Sequence, residues 1–102
     1  MCLVQAKAVL IEGHPYPGLN GLYTHDSTHE GWPVLKNDSG NYCYRHTPRH
    51  AWYLNNNFSP DEDFGAAAIV AEEGPLPVGA HTWMVPNADV VEDRTLTVTL
   101  QL

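Results

Sequence analysis

The residues best equipped for chemistry are the histidines. The chain has six among 102 residues, and four of them fall into two pairs of identical spacing, His25-x-x-x-His29 and His46-x-x-x-His50. On a helix this spacing would put both rings of a pair on one face. Eight glycines and eight prolines punctuate the chain too often to favour long helices, and both pairs lie beside turn signals. An antiparallel meander gives another route to convergence. With strands over 21–25, 32–36, 41–46 and 50–55, both histidine-bearing turns come to the same end. His25, His29, His46 and His50 would then gather at one edge, with Asp26 and Glu30 beside them. Imidazole and carboxylate together suit Zn, Cu or Ni, so Zn or another divalent metal is the cofactor that these residues admit. The competing reading is that they are polar turn residues facing water, and that no cofactor is bound. Neither H-E-x-x-H nor Cys-x-x-Cys occurs.

Other catalytic arrangements find less support. Cys43 is flanked by Tyr42 and Tyr44, and strand alternation turns it to the face opposite theirs. A nucleophilic thiol needs a histidine within hydrogen-bond reach, and an idle packed thiol is the simpler reading. Asp61, Glu62 and Asp63 offer oxygen ligands for Ca²⁺, but carboxylates at a helix start also complement its dipole. Gly-rich phosphate loops and G-x-S-x-G are absent. No catalytic residues are assigned.

The aromatic residues are the second candidate. Trp and Tyr combine contact area with a polar handle and are enriched at binding surfaces. Trp52 and Trp83 are assigned to the core. Tyr42 and Tyr44 share one strand face, and Tyr53 points away from Trp52, so an outward tyrosine face is expected. Asn55 and Asn56, in the run Asn55-Asn56-Asn57, add amide donors and acceptors suited to sugar hydroxyls or a protein surface. The alternative is that the tyrosines only stabilise cross-strand pairs.

The elements that must hold these residues are short strands. Leu3–Ile11, Gly21–His25, Trp32–Lys36, Asn41–His46, His50–Asn55, Ala66–Glu72, Ala80–Val85 and Arg94–Leu102 read as strands, separated by turn residues. The last alternates Leu96, Val98, Leu100 and Leu102 against Thr95, Thr97, Thr99 and Gln101. Ser59-Pro60-Asp61-Glu62 reads as one helical turn, with Ser59 as N-cap and Glu62 completing a capping box. The expectation is a single all-β domain over 1–102. It is an antiparallel meander of seven to eight short strands, with its first and last strands paired in a small barrel or sandwich.

Within that scheme the chain carries a set of short motifs: Asn20-Gly21-Leu22-Tyr23, Gly31-Trp32-Pro33-Val34, Tyr42-Cys43-Tyr44, Trp52-Tyr53-Leu54 and Trp83. The pattern resembles a small domain that recurs in predicted proteins of marine algae and invertebrates, and covers about two thirds of the chain. It departs from that pattern at Leu35, where an aromatic is usual, and at 55–60, where a Gly-rich stretch is usual. The resemblance implies a β-rich module and no activity.

Composition narrows the partners. Five Lys+Arg stand against 12 Asp+Glu, a net charge of −7, which disfavours nucleic acid and anionic membrane surfaces. No apolar run has the length of a membrane span. Residues 1–11 are interrupted by Gln5 and Lys7, unlike a signal peptide. A cytoplasmic or other reducing compartment is therefore expected, with Cys2 and Cys43 free. The function expected from these observations is a non-enzymatic recognition module for a protein or carbohydrate. The alternatives are a histidine-based metal-binding protein or small metalloenzyme, and a structural subunit of a homo-oligomer or larger assembly.

Overall fold

The computed structural model describes residues 8–58, 65–72, 74, 76–87 and 90–101. Eight strands follow in chain order: β1 Ala8–Glu12, β2 Gly21–His29, β3 Trp32–Lys36, β4 Tyr42–His46, β5 Ala51–Asn55, β6 Ala67–Val70, β7 Gly79–Asn87 and β8 Val90–Gln101. Each pairs antiparallel with the next, and β8 returns to β1 through Ala8↔Gln101 to Glu12↔Thr97, closing a barrel. The expected all-β meander and the pairing of its ends are both present. Among the described residues the only helical pieces are 3-10 turns at Pro17–Leu19 and Thr47–Arg49. The helical turn expected at Ser59 lies outside the described residues, as do Asp61, Glu62 and Asp63.

Alternation decides the interior. Val9, Ile11, Tyr23, Leu35, Cys43, Trp52, Leu54, Ala67, Ile69, Trp83, Val85, Leu96 and Val98 form one buried cluster inside the wall. Burial of each large apolar side chain contributes roughly 1.5–3 kcal/mol. Trp52 and Trp83 are both in this core, as expected.

One end of the barrel is closed by the segment between β1 and β2 and by the β3–β4 turn. The Tyr23 hydroxyl donates to Leu19 O at 2.7 Å. Asn37 donates from Nδ2 to Gly18 O, while its Oδ1 accepts from the backbone N–H groups of Ser39 and Asn41. His14 staples the same end. Its Nδ1 accepts from Tyr16 N–H at 3.0 Å, which puts the ring hydrogen on Nε2, 3.0 Å from Ala66 O.

The opposite end is plugged by Ala71 and Gly74, which follow β6. Gly74 O accepts from Trp52 Nε1 at 2.7 Å and from Arg45 Nη1 at 2.9 Å, and Arg45 Nη1 also reaches Ala71 O at 2.8 Å. Trp32 packs edge-on against Trp52, with ring centroids 6.1 Å apart.

The wall is uneven. β7 and β8 are joined from Gly79↔Val98 to Asn87↔Val90, while β1 covers β8 only from residue 97 onward. The outer part of the β7–β8 ribbon therefore extends past its neighbours. Among the described residues β6 meets β7 through a single bridge, Ala68↔Met84.

Candidate functional site

The histidines do not converge. β2 runs on to His29 instead of ending at His25, with a bulge between His25 and Ser27 that takes up Asp26. His25 and His29 therefore lie within a strand, and the turn is Glu30-Gly31, both at positive φ (52° and 85°), a two-residue hairpin between His29 and Trp32. The two turns do share one end, where Thr47 Oγ1 donates to Glu30 Oε1. The imidazoles nevertheless go separate ways. His25 is exposed and contacts Thr28 Oγ1 at 3.3 Å, and His29 meets the Phe58 ring at 5.3 Å. His46 is buried and stacks on Tyr53 at 4.8 Å with the planes 2° apart. His50 is exposed at left-handed φ after the second 3-10 turn. Among the described residues no three His, Cys, Asp or Glu side chains come together as metal ligands. The expected metal set is corrected accordingly: strand extension and stacking on aromatics separate its members.

Cys43 is a free thiol inside the barrel, and burial pushes its pKa well above the ordinary thiol range. A thiol held neutral is not a nucleophile at physiological pH. Cys2 lies outside the described residues.

The tyrosines do point outward from the barrel, but they are not an open face. Tyr44 and Tyr53 are cross-strand partners. With Val34 and Ala51 they form a second buried cluster on the outside of the wall, against which Tyr42, Phe58 and Ala68 pack. Tyr44 is 0% exposed and Tyr53 2%. The Phe58 ring stands edge-on to Tyr44 at 5.1 Å, and Tyr42 is half-buried with Lys36 Nζ 5.4 Å over its ring. The expectation of an open tyrosine platform is thus corrected for Tyr44 and Tyr53. Asn55 is also buried, its Nδ2 donating to the Tyr44 hydroxyl at 3.3 Å, whereas Asn56 is exposed.

A concave feature of the outer wall lies next to this cluster, over the single-bridge seam. A groove of about 530 Å³ is bounded by Arg49, Ala51, Tyr53, Ala68, Val70, Met84, Pro86 and Val91, with Gly65 and Ala67 at one side. Ala51 and Ala68 are small, so the floor is low. Val70, Met84 and Val91 form its walls and are 53%, 44% and 64% exposed. Three large apolar side chains are thus exposed around one depression. Of the residues around the groove the sequence singles out Tyr53, whereas Val70, Met84 and Val91 do not stand out as a site. The signal that could have found them is the outward phase of Val70 and Met84 on strands whose alternate residues, Ile69 and Trp83, are core.

Comparison with known protein families, with curated proteins and with solved structures finds no match to this chain.

Proposed function

We propose that this barrel is a non-enzymatic interaction module that binds a protein partner through the apolar groove on β5–β8. The carrying observation is the grouping of exposed Val70, Met84 and Val91 around a depression floored by alanines. A shallow groove with small floor residues accepts apolar side chains from a facing surface, and desolvation of those walls supplies the driving force. A protein partner is favoured over a carbohydrate because the flat faces of Tyr44 and Tyr53, which a sugar ring would stack on, are covered. The affinity of such a site resides in a few buried anchors, so changes at Met84 and Val70 dominate.

Selection of a displayed random-peptide library on the full chain tests this reading. Selected peptides should carry apolar anchors, shift the Met84 methyl resonance, and bind Met84→Glu at least about tenfold more weakly, as loss of a central anchor does. Peptides that bind wild type and Met84→Glu equally would overturn it.

A further inference from the structure

We draw no further inference here: the strongest candidate, the apolar groove on the outer wall of β5–β8 between Val70, Met84 and Val91, belongs to the site already described, and nothing in the structure shows what covers it.

Discussion

The Arg45 guanidinium lies over the Trp32 ring, 5.1 Å from its centroid, inside one end of the barrel. Arg45 is only 5% exposed, and among the described residues no carboxylate forms an ion pair with it. Two backbone carbonyls and an aromatic face stand in for the counter-ion that a buried cation would otherwise need. Burial lowers the Arg45 pKa from its ordinary value, because desolvation disfavours the charged form.

The first prediction follows from that geometry. Arg45→Ala loses two charge-assisted bonds and the stem packed in the plug, and should cost about 2–4 kcal/mol in chemical denaturation. Arg45→Lys keeps the charge but lacks the flat guanidinium that lies over the Trp32 ring while its Nη1 reaches both carbonyls, so it should not restore wild-type stability. Arg45→Met keeps the volume and removes the buried charge, and should fall between wild type and Arg45→Ala. An alanine variant within about 0.5 kcal/mol of wild type would show that the plug does not depend on Arg45.

Gly74 has φ of +114°, and a Cβ there would run into the far edge of the Trp32 indole. Gly74→Ala should therefore destabilise by more than about 1 kcal/mol, the backbone penalty alone. Gly79 provides the comparison, since it has φ of +98° and a Cβ added there would meet open space. Gly79→Ala should show only the backbone strain. Thermal unfolding of the two variants separates strain from steric collision. Tryptophan emission should shift to longer wavelength for Gly74→Ala alone, as Trp32 is displaced toward solvent.

The strand pattern is legible in the sequence because period-two alternation and turn residues act locally. Leu96 and Val98 against Thr95 and Thr97 set the inward face of β8, and alternation puts Tyr42 and Tyr44 on the opposite face from Cys43 and Arg45. Closure is legible from strands at both ends of the chain. What lies on top of a wall is not. Tyr44 and Tyr53 have the outward phase, but Phe58, from outside the strand, packs over them. The two histidine turns share one end, as the meander predicts, yet the bulge at Asp26 and the stacking of His46 on Tyr53 depend on side-chain packing that spacing does not encode. The groove depends on how β6 splays from β7, which is likewise a tertiary property.

Covering of the outer cluster gives a prediction for the tyrosines. Tyr44→Ala and Tyr53→Ala should each cost about 3–5 kcal/mol, the range for truncating a buried large aromatic. Tyr42→Ala, half-buried at the edge beneath Lys36, should cost distinctly less. Urea unfolding of the three variants decides it. Near-wild-type stability of Tyr44→Ala or Tyr53→Ala would mean that the second cluster is dispensable.

The last prediction concerns alkali. Burial raises the Cys43 thiol, and burial together with neighbouring Cys43 raises the Tyr23 phenol, each above its ordinary value. Both groups are neutral when protonated, so below their ordinary values neither distinguishes folded from unfolded chains. As pH rises past about 8.5, unfolded chains lose the thiol proton that folded chains keep. The unfolded state then binds fewer protons, and stability must fall with pH. One such group gives a slope of about 1.4 kcal/mol per pH unit. A second sets in above about pH 10, when the unfolded phenol ionises. Denaturation midpoints measured from neutral to strongly alkaline pH should show a decline that steepens. Cys43→Ala should flatten its first part and Tyr23→Phe its second, the latter with a constant loss from the missing bond to Leu19 O. Iodoacetamide should leave the Cys43 thiol unmodified until the barrel opens. A wild-type stability that stays level between about pH 8 and 10 would contradict a thiol held neutral in the core.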